Sequence, residues 1–192
     1  MPDNDAVPHA ERLVEQYRID VTQAERVERT ALAGLKQLKS AWTLEDPDLR
    51  HLISWASRLH EIGITISYSG YHRHGSYITA NSELAGFSRD DQMLLAALIG
   101  AHRRKLSREA FQDLTLIDEE TALRLAIILR IAVLLNRHRS PRPLPPIAAA
   151  GTKKSLAIAF PPDWLEEHPL TRADLEAETK VLKKVGYDLT AT

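Results

Sequence analysis

Histidine and carboxylate residues carry the first chemistry that the chain suggests. The members of this group are His60, Glu61, His72, His74 and His102. Imidazole and carboxylate groups bind divalent first-row metal ions, so a metal site drawn from several helices is one interpretation. The alternative is that histidines at helix ends bind terminal carbonyl groups and interact with the helix dipole.

A second group is cationic, and it comes from separate stretches of the chain. Its members are His72, Arg73, His74, His102, Arg103, Arg104, Lys105, Arg130 and Arg137. The planar guanidinium group matches phosphate oxygens, so converging arginines favour a polyphosphate or a nucleotide tail. The alternative is a set of solvated helix ends with local ion pairs. Those pairs would join Arg124 or Arg130 to Asp118, Glu119 or Glu120.

The overall charge limits the partners that these cations can attract. Lysine and arginine number 25 against 26 aspartate and glutamate residues, which gives a formal net charge of -1. Without a global basic field, attraction to polyanions must come from local clustering. Tyr68, Tyr71 and Tyr77 lie near the cations and could stack on bases. We nevertheless do not expect nucleic acid binding, because nonspecific attraction is weak in a neutral chain.

Several classes of protein are excluded by composition and motifs. The chain has no cysteine, which rules out thiolate zinc sites, cysteine nucleophiles and iron–sulfur clusters and is compatible with a cytoplasmic location. Glycine-rich phosphate loops, GxSxG and HExxH are absent from the sequence. The acidic start MPDNDAVPH does not resemble a signal peptide. The longest apolar stretch is interrupted by Arg124 and Arg130 and falls short of the roughly 20 residues of a bilayer span.

The elements that must position these groups are mainly helices, with helical periodicity from about residue 9 to 139. Apolar residues recur on one face from Val27 to Leu38 and again from Leu49 to Leu59, which places His60 and Glu61 at a helix end. Ser88 and Asp91 have the spacing of a capping box, and the helix that they begin ends in the HRRK run.

Two further predictions concern the centre of the helical region. Residues 118–137 are apolar nearly all round, which indicates a helix at the centre of a bundle. The stretch ISYSGYHRHGSYI is bounded by glycines and rich in hydroxyl and aromatic groups, so composition predicts a loop that carries function.

The composition changes at Ser140, where PRPLPPI cannot continue a helix because proline lacks the amide donor. Beyond it, the pattern predicts a strand over 155–160, a helix over 171–185 and a last strand over 187–189. The expected fold class is therefore mainly α, with a helical domain over 1–139 and a small α+β C-terminal lobe over 140–192.

Four strings of the sequence carry a family resemblance that spans about residues 10 to 190. They are QAERVERTALAGL, LHEIGITISYSGYHRHGSYITANSELAGFSRDDQMLLAALIGAHRRK, LRIAVLLNRHR and FPPDWLEEHPLTRADLEAE. Together they closely resemble the C-terminal region of the exopolyphosphatase and guanosine pentaphosphate phosphohydrolase family. The pairing of SGYHRH with HRRK is the most specific part.

The resemblance implies a fold and a role. Members of that family have two actin-like domains that perform hydrolysis, then a helical bundle like the HD phosphohydrolase domain, then a small lobe. The present 192 residues resemble the last two parts, so we expect no hydrolysis on this chain alone and no cofactor on it, with Mg²⁺ confined to a full-length enzyme. The family's helical domain extends a phosphate channel and builds a homodimer. By motif, His72 to His74 and His102 to Lys105 would line the channel, with Arg130 and Arg137 as weaker candidates.

The metal site implied by an HD-type domain is degenerate here. The resemblance places Gln23 and Val133 where two of the ligands stand, and neither an amide nor a valine is a good ligand for a divalent metal ion. The remnant candidates are His60, Glu61 and His102.

Three hypotheses follow. The first is a noncatalytic module that binds polyphosphate or guanosine pentaphosphate and dimerises, with a separate actin-like catalytic chain as a candidate partner. The second is a metal-dependent phosphohydrolase that uses the remnant site. The third is a purely structural interaction domain whose histidines and arginines are used in internal hydrogen bonds.

Overall fold

The computed structural model describes residues 14–84 and 86–192, so the predictions for the start MPDNDAVPH and for periodicity before residue 14 lie outside the described residues. Helices α1 to α5 are Val21–Leu38, Asp48–Leu59, Tyr71–Asn81, Arg89–Ala101 and Glu119–Asn136, with 3-10 turns at Ile62–Thr65 and Arg108–Phe111. They are followed by β1 Ala148–Thr152, β2 Ser155–Ala159, α6 Trp164–Glu167, α7 Pro169–Lys183 and β3 Asp188–Ala191. The predicted fold class, mainly α with a small α+β lobe, is confirmed.

Helix α5 lies at the centre, as its all-round apolar sequence predicts. Thirteen of its 18 residues are buried, including both of its arginines. The side chain of Asp118 caps the first turn by accepting a hydrogen bond from the Thr121 amide at 3.0 Å. In the part of the chain that the structure describes, no helix, α5 included, is long and apolar enough to cross a bilayer.

The other helices begin at the caps that the sequence indicates. Ser88 and Asp91 form the predicted capping box at the start of α4, each side chain bonding the backbone amide of the other residue. Asp20 caps α1 by accepting from the Gln23 amide at 3.0 Å. His60 follows the last residue of α2, as the periodicity predicts.

The loop predicted for ISYSGYHRHGSYI is wrong, because helix α3 begins within it at Tyr71. Gly70 has a left-handed backbone (φ 72°) and serves as the residue that precedes the helix. Gly75 does not interrupt the helix. A Cβ there would lie 2.9 Å from Cγ2 of Ile99, so this glycine permits close packing against α4.

The C-terminal lobe contains a three-stranded sheet in the order β1-β2-β3. Strand β2 pairs antiparallel with β1 and parallel with β3, with Leu156 opposite Leu189 in the parallel pair. Alternation correctly predicts β2 and the position of β3. Strand β1 was not predicted, because the sequence AAAGT has neither alternation nor β-branched residues before its last position.

The lobe and the helices share one apolar core. A single cluster of buried side chains contains residues of α5 together with Leu156, Ile158, Leu182 and Tyr187. Trp42 joins the two regions: its indole Nε1 donates to the Thr152 carbonyl at 2.8 Å. The division at residue 140 therefore stays a prediction, while the packing makes the lobe continuous with the bundle.

Glu120 on α5 ties the lobe to the bundle through charge. Its carboxylate accepts from Tyr187 Oη at 2.5 Å, Lys154 Nζ at 2.7 Å and Arg108 Nη1 at 3.1 Å. Burial alone would raise the pKa of Glu120, but these hydrogen bonds outweigh it and lower the pKa to about 2. Burial and the bond to Glu120 raise the pKa of Tyr187 to about 12.

Replacing Glu120 should destabilise the fold in a pH-dependent way. The folded pKa lies below the ordinary value of 4.5, so the unfolded chain binds the proton more tightly. The stabilisation is complete above pH 4.5 and is lost as the pH falls toward 2. Allowing for solvent screening, we expect Glu120→Gln to cost about 1–2 kcal/mol at neutral pH and much less at pH 3.

Urea denaturation of wild type, Glu120→Gln and the exposed control Glu166→Gln at both pH values measures this effect. An equal loss for Glu120→Gln at the two pH values would contradict the assignment.

Candidate functional site

The candidate site lies where the end of α2, the start of α3 and the end of α4 meet. These segments approach closely because Gly63 and Gly75 have no side chains. A Cβ on Gly63 would lie 2.1 Å from the Tyr71 carbonyl oxygen and 2.4 Å from the Gly75 amide nitrogen. Real side chains never come so near, so the meeting point depends on glycine at this position.

Tyr71 is the centre of an aromatic cluster at this meeting point. Its ring centroid lies 5.4 Å from that of His102 and 5.8 Å from that of Tyr68. The Arg103 guanidinium carbon lies 4.5 Å from the Tyr71 ring centroid, in cation–π range. Burial raises the pKa of Tyr71, and the nearby Arg103 charge opposes that rise without cancelling it. Tyr71 therefore stays a neutral platform under the guanidinium.

His60 and His102 form a buried pair behind Tyr71. Their rings meet edge to face with centroids 5.4 Å apart, and the residues are only 1% and 2% exposed. Each Nδ1 lies 2.6 Å from a backbone carbonyl, of Ser57 and Ile99 respectively. A carbonyl can only accept, so each Nδ1 carries the proton and each Nε2 holds a lone pair.

The two imidazoles are held in the neutral form. Burial lowers the pKa of His60 and lowers the pKa of His102 well below its ordinary value. Neither Nε2 atom has a hydrogen-bond partner among the residues that the structure describes. The structure therefore places His102 inside the protein, where its ring does not reach solvent.

Three arginines of the two motifs act electrostatically on His72. Burial lowers the pKa of His72. The positive charges of Arg103, Arg73 and Arg104 lower that pKa further, so these three guanidinium groups are close enough to act on the imidazole. Arg73 is exposed and folds back over the start of α3, where its Nη2 would lie 3.0 Å from a Cβ on Gly70. We call His72, Arg73, Arg103 and Arg104 the basic cluster.

No acidic side chain in the described part of the chain pairs with the arginines of the basic cluster, in contrast to Arg108 or Arg137. The adjoining His74 is half-buried and Lys105 is exposed. The start of α3 adds to the positive potential, because its first turn has no acidic residue and no side-chain cap.

Glu61, the carboxylate of the remnant metal site, is bound by an arginine. Arg139 Nη2 donates to both carboxylate oxygens of Glu61 at 2.6 and 2.8 Å, and its Nη1 donates to Asp20 at 2.6 Å. The backbone at Arg139 is left-handed (φ 51°), which is uncommon for a residue with a side chain. A guanidinium group therefore supplies the positive charge at this carboxylate.

The residues present do not fit a divalent metal ion. In the described part of the chain no group of three or more histidine, aspartate or glutamate residues is arranged to hold one. Gln23 is buried and donates from Nε2 to the Asn136 carbonyl at 2.8 Å, while Val133 offers no ligand. The two Nε2 lone pairs of His60 and His102 remain, without a free carboxylate beside them.

Arg130 and Arg137 each form an ion pair with an acidic residue of α7. Arg130 is 3% exposed and donates to Glu178 at 2.5 and 2.9 Å, so its guanidinium is used inside the protein. Arg130 forms its ion pair with Glu178 on α7. The prediction that it pairs with Asp118, Glu119 or Glu120 is therefore wrong. Arg124 does lie 3.7 Å from Glu120, as the local alternative predicts. Arg137 pairs with Asp174.

Two contributions to the site were missed in the sequence. The first is Tyr71 as the platform for Arg103, and the only signal is an aromatic residue within the SGYHRH motif. The second is the pairing of Arg139 with Glu61, residues separated by 78 positions. Local spacing carries no information about such a pair.

This combination of a helical bundle, a small lobe and a basic cluster agrees with a family match. The chain matches the model described as Ppx/GppA phosphatase, domain III, over residues 8–179. The chain therefore belongs to the Ppx/GppA phosphatase family and corresponds to its C-terminal region, which confirms the resemblance seen in the sequence.

Curated relatives of the chain are bacterial proteins named guanosine-5'-triphosphate,3'-diphosphate pyrophosphatase. The protein of Aeromonas hydrophila is 33% identical over 178 residues, which is 93% of this chain and 36% of the relative. The protein of Pseudoalteromonas translucida is 32% identical over 176 residues, 92% of this chain and 35% of the relative. The chain thus spans about a third of the length of these relatives.

The buried ion pair between Arg130 and Glu178 allows a test of whether this arginine stabilises the fold. Glu178→Gln leaves the guanidinium without its counter-charge, and we expect a loss of about 3–5 kcal/mol in the free energy of unfolding. The control is Glu176→Gln, on the exposed face of the same helix, with an effect below about 0.5 kcal/mol. Urea denaturation measures both. Equal stability of the two variants would show that the pair is not structural.

Proposed function

We propose that this chain is the phosphate-binding module of a Ppx/GppA phosphatase and that the basic cluster is its binding surface. The single observation that supports this is that Arg73 and Arg103, which form no ion pair with the described residues, both lie at the uncapped start of α3. Arginine forks and a helix N-terminus both bind phosphate oxygens. The ligand is polyphosphate or guanosine pentaphosphate, and the names of the relatives support the second of these.

The geometry suggests how a long anion would be held. Arg103 lies on the Tyr71 ring, so its guanidinium plane is fixed with little loss of entropy on binding. Arg73 in SGYHRH and Arg104 in HRRK are both exposed, so a chain of phosphates can contact one after the other. Several weak contacts on one polyanion raise the affinity through effective concentration. Such a surface would keep a substrate near a catalytic domain after each cleavage.

The wider assembly belongs to the same proposal. Hydrolysis takes place on actin-like domains, either in the same polypeptide or in a separate catalytic chain, and this region contributes to a homodimer. The complete enzyme uses Mg²⁺, has no membrane or nucleic acid partner, and works in the cytoplasm. The actin-like domains, the homodimer and Mg²⁺ are inferred from the family, whereas the expectation of no nucleic acid partner rests on the formal net charge of -1.

Removing two arginines of the basic cluster tests the binding role. For Arg73→Ala/Arg103→Ala we expect about a tenfold or greater rise in the Kd for inorganic polyphosphate, because two charge-assisted contacts are lost. Wild-type binding should weaken steeply between about 50 and 200 mM salt. Isothermal titration calorimetry gives both numbers, for polyphosphate and for guanosine pentaphosphate.

The matched control is Arg172→Ala, an exposed arginine on α7 outside the cluster, which should bind as wild type does. Thermal unfolding of each variant shows that the fold is kept. If wild type binds neither ligand at low salt, the proposal fails and the structural interaction domain remains.

The alternative of a metal-dependent phosphohydrolase on His60, Glu61 and His102 is tested separately. Because Arg139 occupies the Glu61 carboxylate, we expect far less than one equivalent of manganese after incubation with Mn²⁺ and desalting. Elemental analysis gives the stoichiometry, and a phosphatase assay in Mn²⁺ should show no turnover. About one equivalent of metal together with activity would establish the alternative and contradict our reading of Arg139.

A further inference from the structure

A cavity of about 370 Å³ lies between α1, α5 and residues 141–147, the segment that leads into β1. We call this segment the strap. The inner wall of the cavity is apolar and is formed by side chains of α5 and the sheet, namely Ile128, Ile131, Ala132, Leu135, Leu156 and Ile158. The volume is in the range of cavities that hold small ligands. The cavity shares no residue with the basic cluster.

The cavity stays open because the strap cannot collapse into it. Four of the seven strap residues are proline, whose fixed φ favours an extended backbone. Gln37 on α1 holds the far end: its Nε2 donates to the Ile147 carbonyl at 3.2 Å and its Oε1 accepts from the Ala149 amide at 2.8 Å. On the α1 side, Gly34 leaves space where a side chain would project.

The charged side chains that line the cavity are all positive. Arg26, Arg29 and Arg142 line the cavity, and its lining contains no aspartate or glutamate. Arg29 and Arg142 form no ion pair with any residue that the structure describes, and Arg26 donates only to the neutral amide oxygen of Gln23 at 3.1 Å. An apolar space with unpaired guanidinium groups complements a molecule that has a hydrocarbon body and an anionic end.

We propose that this cavity binds a small amphipathic anion, a medium-chain carboxylate, with its carboxylate at Arg29 and Arg142 and its hydrocarbon chain along α5. Burial of the chain supplies affinity, and the guanidinium groups select the sign of the charge. The site is independent of phosphate binding at the basic cluster, so either can be present without the other.

Titration of the full chain with hexanoate, octanoate and decanoate tests the site by calorimetry. Each buried methylene contributes enough to tighten the Kd about fourfold, so each two-carbon step should tighten it about 15-fold while the cavity has room. Decyltrimethylammonium, which has the same chain and the opposite charge, should not bind. No binding of decanoate, or equal binding of the cationic analogue, would overturn the proposal.

Two variants test separately how the positive charge and the free volume of the cavity contribute to decanoate binding. Arg29→Ala/Arg142→Ala should raise the Kd for decanoate about tenfold or more, since two charged hydrogen bonds are lost. Gly34→Leu should abolish binding by filling the cavity; a Cβ at this position has ordinary contact with Ile128 at 3.4 Å, so the helix tolerates it.

The controls are Arg50→Ala, an exposed arginine on α2, and thermal unfolding of every variant. Unchanged decanoate binding in both cavity variants would reject the site. If the wild type does not bind decanoate and Gly34→Leu changes the sedimentation of the chain, the cavity belongs to a contact between copies and the proposal is wrong.

Discussion

The buried guanidinium of Arg130 is the contact that joins the central helix to the end of α4, the HRRK run and α7. From the central helix it donates to Glu178 on α7, to the Ala101 carbonyl at the end of α4 and to the Arg104 carbonyl at 3.0 Å. A buried charge is tolerated only when its donors are all satisfied, so the three segments must take up these positions together. The lobe and the HRRK run are therefore fixed by the same side chain.

A second, steric constraint fixes the position of α3 relative to α2 and α4. Gly63 and Gly75 let α3 approach the end of α2 and the side of α4, and this sets Tyr71 against His102. The neutral histidine pair fills the interior without adding charge, while Arg73 is exposed and Arg103 is half-buried over the Tyr71 ring. Packing thus separates two kinds of residue that share one motif: histidines that support the site from within, and arginines that present positive charge to solvent.

The sequence predicts the local parts of this structure well. The capping box of α4, the all-round burial of α5 and strand β2 depend on residues near one another in the chain, and each was predicted from spacing. Helix α3 was missed because glycine was interpreted as a helix breaker, whereas Gly75 serves close packing. The partners of Arg130 and Arg139 lie 48 and 78 positions away, and a single sequence contains no signal for them.

Arg139 forms ion pairs with both Asp20 and Glu61, and this arrangement differs from a metal site in how its positive charge is supplied. Its cation is part of the polypeptide, so it arrives with the two carboxylates in fixed stoichiometry and cannot dissociate. A metal-filled corner depends on the supply of free ions and is emptied by chelators. In this chain the guanidinium of Arg139 provides that positive charge, and it comes from the polypeptide itself.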